Sequence, residues 1–350
     1  MDFDFAEQSP KLMMLLWGLV AFAVVVGGLL VLLDAVPAFF ARRREARFVA
    51  ATANGAPPPG RPRSREGLFA TFFLLPTVVL LLIGLVVPAL RTTLLSFMDG
   101  GSQNFVGLDN YRWMFADDSI VRVLLNTLVW VTLVPLVATS IGLIYAVLVD
   151  KARLEAVAKS LIFMPMAISF VGASIIWKFV YAFRSEEQEQ IGLLNQIVVS
   201  LGGTPRQWLL DSPLNTLLLI VIMVWIQAGF AMVVLSAAIK AIPADIVEAA
   251  RLDGVSPWQM FWQITLPSIR PALIVVVVTI SIATLKVFDI VRTSTNGNYD
   301  TSVIANEMYN QAFRYGQNGQ GSALAVFLFI LVIPIVIFQI RNLRQQRREG

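Results

Sequence analysis

The sequence predicts an all-α membrane protein of about seven transmembrane helices. Composition is the first reason. Of 350 residues, 57% are hydrophobic and 14% are charged, whereas a soluble globular domain carries about 25% charge. Arrangement is the second. The apolar residues collect in runs of roughly 20, the length that crosses a bilayer as a helix. The third is period. The runs do not alternate apolar with polar residues as barrel strands do. In lipid the backbone must be satisfied internally, so helices remain.

Residues 12–36 are an apolar run between Lys11 and the cluster Arg42, Arg43, Arg44 and Arg47. A secretory signal carries its positive charge ahead of a shorter apolar core. Here the positives follow the run, and the start is acidic at Asp2, Asp4 and Glu7. Segment 1–40 is therefore expected to be a retained helix with its N-terminus outside. Residues 41–67 read as a basic, Pro- and Ala-rich cytoplasmic linker, with Pro57-Pro58-Pro59-Gly60 favouring an extended chain.

Six further spans are expected at 68–90, 121–149, 161–183, 214–238, 271–291 and 322–340. Pro76 and Pro88 are expected to kink the first of these, and Pro135 lies in the next. Segments 184–213 and 293–320 are polar and rich in Gly, Asn or Glu, and read as exterior loops. Residues 341–350 form a basic tail with Arg341, Arg344, Arg347 and Arg348.

Charge sets the expected orientation. With the N-terminus outside, segments 41–66, 150–160, 239–270 and 341–350 face the cytoplasm. They hold seven, three, three and four Lys or Arg residues, 17 of the chain's 27. Exterior segments and outer helix ends hold nine, and Lys286 lies in a span. This satisfies the positive-inside rule.

The cytoplasmic segment 240–271 reads KAIPADIVEAARLDGVSPWQMFWQITLPSIRP, patterned as two short helices joined by a turn. Pro243-Ala244-Asp245 is a helix start, with proline tolerated in the first turn and acid near the positive end of the dipole. Gly254 suits the left-handed position that ends a helix. Ser256-Pro257 is an N-cap followed by proline at the first helical position. Pro267 and Pro271 are expected to end or bend the second helix before the next span. The alternative reading is an ordinary loop.

The spacing of Glu248-Ala249-Ala250, Gly254, Ile264, Leu266 and Pro267 resembles the EAA signature of bacterial ABC importer permeases. The phrase FVGLDNY at 105–111 resembles the exterior loop of sugar-type members. The stretch from Gly229 to Pro267 and the run KVFDIVRTSTNG from Lys286 to Gly297 are similar to α-glucoside members. The resemblance implies a six-helix, type I permease core over 68–340, with the N-terminal helix as an addition. It implies a multi-pass protein of the bacterial inner membrane that imports a sugar and is not itself an enzyme. Its implied partners are a dimer of ATPase subunits that binds ATP-Mg, a second homologous permease, and an extracytoplasmic sugar-binding protein. Glu248, Ala249, Ala250, Asp253, Gly254, Ile264, Leu266 and Pro267 would couple to the ATPase.

Polar groups inside spans are costly and mark functional candidates. Here they are Gln227 with Phe230 in one span, and Thr284, Lys286 and Asp289, with Phe288, in the next. Glutamine and an aromatic face suit a sugar's hydroxyls and CH surface. The run from Thr284 to Asp289 falls where maltose-type permeases place sugar contacts, although those are richer in Asn. Two readings stay open for each set. Lys286 and Asp289, three apart, can pair on one helix face. Phe230 and Trp225 can belong to the lipid-facing belt. Asn126 and Thr127 read as helix-packing groups.

Several classes are excluded. There is no His and no Cys, so disulfides, thiolate chemistry and His- or Cys-held metal sites are absent. No GxxxxGK[ST] phosphate loop occurs, so ATP hydrolysis belongs to another chain and this one needs no cofactor. The basic balance is explained by lipid and topology, not nucleic acid. A secondary transporter or channel that works without an ATPase is the competing class.

Overall fold

The computed structural model describes residues 74–150 and 154–349, together with residues 13, 17 and 20. Apart from those three positions, the expected N-terminal helix and the basic linker lie outside the described residues. The chain divides into two compact units, Met1–Pro88 and Ala89–Gly350. Helix α1, Leu74–Leu95, runs across the boundary.

In the second unit the helices follow as α2 Asp109–Ala116, α3 Asp118–Val149, α4 Glu155–Phe163 and α5 Phe170–Val180. Then come α6 Leu193–Ser200, α7 Leu214–Lys240 and α8 Ala244–Leu252. Helix α9 is Pro257–Leu285, and α10 Asp289–Ser294, α11 Ile304–Tyr309 and α12 Asn318–Glu349 complete the chain. Among the described residues there is no β-strand beyond one isolated bridge, Met98 to Phe105. Among the described residues, five helices are long and apolar enough to cross a membrane, or six if the bent pair α4–α5 counts as one span.

Helix α7 is the axis of the bundle. It packs on α3, α4 and α9, and buries Leu219, Met223, Ala231, Met232 and Leu235 completely. The approach to α3 is close because of one glycine. A Cβ at Gly142 would lie 2.4 Å from Ala231 Cβ and 2.8 Å from the Met232 nitrogen. Gly229, on α7, faces α4 in the same way, with the Ile162 carbonyl 2.6 Å from its would-be Cβ. Small residues are how helices approach where lipid supplies no hydrophobic drive to pack.

Three expected boundaries are corrected. The span at 161–183 is not continuous. Pro165 sits in a 3₁₀ turn, Met164–Ala167, and α5 starts afresh after Ser169, whose hydroxyl caps the Gly172 N–H at 3.1 Å. The two halves meet at 102°. The prolines near 270 do not end their helix. Helix α9 runs from Pro257 through Pro267 and Pro271 to Leu285 as one rod. A π turn at Met260–Thr265 precedes Pro267, and a second, Leu82–Val86, precedes Pro88 in α1. A proline frees a carbonyl one turn back, and a widened turn absorbs the mismatch without a break.

The third correction is the far end of α9. The span expected to reach residue 291 stops at Leu285, and Val287 N–H turns back to the Thr284 carbonyl at 3.0 Å. No glycine or proline marks this stop. Burial of Val287 and Ile290 in the main core draws the chain away from the helix axis. The segment beyond is folded. Asn126 donates to the Asp300 and Ser302 carbonyls at 2.6 and 3.0 Å, and Thr127 Oγ1 accepts the Ile304 N–H at 3.0 Å. These two residues thus pin a loop rather than join two spans. At the end of α1, Asp99 accepts from the Gln103 N–H and the Asn104 amide, which holds its carboxyl below the ordinary range.

The Gly142 contact gives a test. Gly142→Val overfills the α3–α7 crossing and should destabilise the fold by about 1–3 kcal/mol. A clear fall in melting temperature of the detergent-solubilised protein is expected. Gly84→Ala, where a Cβ meets nothing within 4 Å among the described residues, should produce no such fall.

Candidate functional site

Two places in the second unit hold the candidate residues. The first is the segment between α7 and α9. Helix α7 ends at Lys240, Pro243 holds an extended conformation, and α8 follows with Asp245 in its first turn. Proline thus occupies the N-cap itself rather than the first turn.

The end of α8 is a doubly bonded stop. Gly254 has φ +74° and its N–H reaches the Arg251 carbonyl at 3.1 Å, while the Val255 N–H reaches Ala250 at 3.1 Å. That pair of bonds is the Schellman closure, which requires a left-handed residue. One residue later α9 begins with a capping box. Ser256 Oγ accepts the Gln259 N–H and Gln259 Oε1 accepts the Ser256 N–H at 3.0 Å, with Pro257 first in the helix. Only Val255 lies between the two caps, so the elbow has almost no free dihedral. Gln259 was not singled out in the sequence. Its place three residues after Ser256 was the available signal.

The elbow projects from the bundle. Glu248, Ala249, Asp253, Gly254 and Pro267 are exposed, Ile264 and Leu266 are half-buried, and Ala250 turns inward. Leu252 is 89% and Trp258 71% exposed, an apolar tip on a polar segment. Helix α8 rests on the π turn of α9, and Trp262 packs edge-on against both Trp258 and Phe261.

The second place is a cavity of about 310 Å³ past the far end of α9. Lys286 and Phe288 line it with Met308 and Tyr309 of α11 and Leu328 of α12. The aromatic rings form a ladder. Phe288 and Tyr309 lie 5.3 Å apart, Tyr309 and Phe313 5.2 Å. The Arg292 guanidinium stands 4.7 Å over the Tyr309 ring and donates to Asn310 at 2.9 Å.

The structure therefore divides the expected pathway residues. Lys286 and Phe288 share the cavity. Gln227 is buried and Phe230 half-buried within α7, in the main core. Thr284 is fully buried, its hydroxyl donating to the Ile280 carbonyl at 2.7 Å. Asp289 opens α10 and does not line the cavity. Lys286 and Asp289 form no ion pair, because α9 ends at Leu285 and Asp289 already belongs to α10, so no one helix aligns them. Trp225 lies edge-on against Trp177 at 5.8 Å and packs partly buried on the main core. Tyr309 was missed. The aromatic pair Tyr309 and Phe313, four apart, lay in a segment read as loop.

The chain was compared with known proteins. The family model described as "Binding-protein-dependent transport system inner membrane component" matches residues 138–349. The osmoprotective compounds uptake permease of Synechocystis sp. is 52% identical over 276 residues, covering 79% of this chain and 99% of the relative. The alpha-glucoside transport system permease of Rhizobium meliloti is 49% identical over 271 residues, covering 77% of this chain and 81% of the relative. A bacterial ABC transporter that imports the acidic polysaccharide alginate has a chain of similar fold, with TM-score 0.70 and 24% identity over 81% of this chain and 96% of that one.

The caps offer a test of elbow rigidity. Ser256→Ala removes one cap and should loosen the start of α9 by about 1 kcal/mol. Faster hydrogen–deuterium exchange between Trp258 and Ile264, with no change in α7, is the expected reading.

Proposed function

Because the chain belongs to the binding-protein-dependent transport system inner membrane component family, we propose that it forms half of the pathway of an ATP-driven importer and couples that pathway to ATPase subunits through the elbow at 240–271. The chain is an ABC importer permease, a multi-pass transport subunit of the inner membrane and not an enzyme. One observation carries the coupling reading. Two capped helices joined at Gly254 project from the bundle in a chain with no nucleotide-binding motif of its own.

In this reading the elbow end is cytoplasmic, as the charge count expects, and the N-terminus is exterior. Leu252 and the slim face at Ala249 enter a cleft on the ATPase, and Glu248 and Asp253 meet its rim. ATP binding closes the ATPase dimer and moves the elbow as a rigid lever. The permease pair then shifts from inward-open to outward-open, a change of population between two states. The segments around α6 and α10–α11 form the exterior surface for a sugar-binding protein. A second, homologous permease completes the pathway.

The cargo proposed is an α-glucoside or similar oligosaccharide. The 49% identity to an alpha-glucoside permease supports it. So does the aromatic ladder beside Lys286, which offers rings for CH faces and a cation for hydroxyls. Gln227, Phe230, Thr284 and Asp289 remain candidates for the path, reached only if the transport cycle opens the core around them. The relative named for osmoprotective compounds favours a second reading, a small osmolyte as cargo.

A screen separates the two. ATPase activity of the assembled transporter should rise with maltose, trehalose or sucrose and its binding protein, and not with glycine betaine. Stimulation by the betaine alone would select the second reading. Phe288→Ala should lower maltose uptake about tenfold while assembly persists. The elbow has its own test. Gly254→Asp forces a side chain into a left-handed position on the docking face. It should leave membrane insertion intact and abolish ATPase stimulation and uptake. Unchanged stimulation would end the coupling assignment.

A further inference from the structure

At the root of the elbow, α3 and α7 end and α4 begins in one charged cluster. Asp150 closes α3, Glu155 and Lys159 lie in α4, and Ser236 and Lys240 lie in the last turns of α7. Lys159 is the hub. Its Nζ donates to Asp150 Oδ1 at 2.6 Å, to Glu155 Oε1 at 2.7 Å and to the Ser236 hydroxyl. Ser236 donates in turn to Asp150 at 2.6 Å, closing a triangle between three helices. Lys240 pairs with Glu155.

The cluster has two tiers. The triangle is sheltered: the side chains of Lys159 and Asp150 are 21% and 12% exposed, and Ser236 is 2% exposed. Charges held so are hydrogen-bonded and geometrically specific, and removing one strands its partners. The Glu155–Lys240 arm is half open to water, with Lys240 52% exposed. Exposed pairs are weak and are made and broken readily. Lys240 is four residues from the start of α8.

We propose that Lys159 is a positioning residue for energy coupling, clamping the root of the elbow to the bent pair α4–α5 so that elbow movement is passed to the pathway. This rests on the elbow being the coupling element. The onward route is contiguous. Helix α5 follows α4 across the 102° bend, and packs on α10, which begins just after Phe288 at the cavity. A swing of α4 therefore re-aims the segment that carries the aromatic ladder. Without the clamp, α4 is held to α7 by apolar packing alone and follows the elbow less closely.

The test uses the assembled transporter, with its second permease, ATPase subunits and maltose-loaded binding protein. The chain has no cysteine, so Val157→Cys and Asp245→Cys, both at exposed positions, can be spin-labelled in the isolated chain before assembly. In Lys159→Met the distance distribution between the labels should broaden. The ratio of ATPase activity with binding protein to that without should fall at least fivefold. Lys159→Arg, which keeps the charge, should restore both. An unchanged ratio in Lys159→Met overturns the proposal, whether or not the distances broaden. If Lys159→Met does not assemble, Lys240→Gln removes the open arm alone. It should lower the ratio about twofold, and an unchanged ratio there also overturns the clamp. If Gly254→Asp uncouples the transporter while Lys159→Met does not, the clamp alone fails. If Gly254→Asp leaves coupling intact, the elbow reading fails first.

Discussion

Hydrocarbon offers a peptide group no hydrogen-bond partner, and the architecture follows from that constraint. Each crossing segment closes its own backbone bonds as a helix. The prolines show how strictly this holds. Pro88 and Pro267 each remove a donor, and in each case a π turn lies just ahead, so the rod continues. Among the described residues, the interrupted span, at Ile168 and Ser169, is repaired at once by a side-chain cap on Gly172. A broken span is tolerated where protein satisfies the freed groups.

The same constraint decides what the sequence could reveal. The elbow was legible because its signals are local. Gly254 must be left-handed, Ser256-Pro257 must start a helix, and neither depends on a distant neighbour. The helical class and five of the spans were legible for a similar reason, since each helix satisfies itself. The end of α9 was not. Lys286 and Asp289 sit at helical spacing, yet burial of Val287 and Ile290 in a core built by other helices ends the rod first. The cavity was hidden likewise. Phe288, Tyr309 and Leu328 come from three separate segments, and their meeting is a tertiary fact. The bend at Ser169 had a local signal in Pro165 that composition outweighed.

The continuity of α9 changes how the two candidate places relate. Read as a loop helix followed by a span, the elbow and the pathway would be joined by a hinge at Pro267. As one rod from Pro257 to Leu285, the elbow's second helix and the cavity's approach are the same object. A continuous helix extends about 1.5 Å per residue, so it reaches from the elbow to the cavity without an intervening loop. Helix α7 leads into the elbow from the other side and is fixed at its centre by Gly142 and Gly229. On the proposed reading, the elbow thus has a stiff output through α9 and a packed fulcrum in α7.

A lever also needs something to push against, and apolar packing alone is a poor candidate in lipid. Lipid tails are as apolar as the side chains at a helix face, so packing there gains no hydrophobic drive. Charge-assisted hydrogen bonds need no such drive. Their geometry is narrow and a sheltered charge left unpaired is expensive. It is therefore telling that the sheltered ionic network stands where α3 and α7 end and α4 begins, beside the elbow, and holds three helices at one point. Apolar contacts give the bundle its bulk. On the proposed reading, the polar groups at its margin set which helices move together.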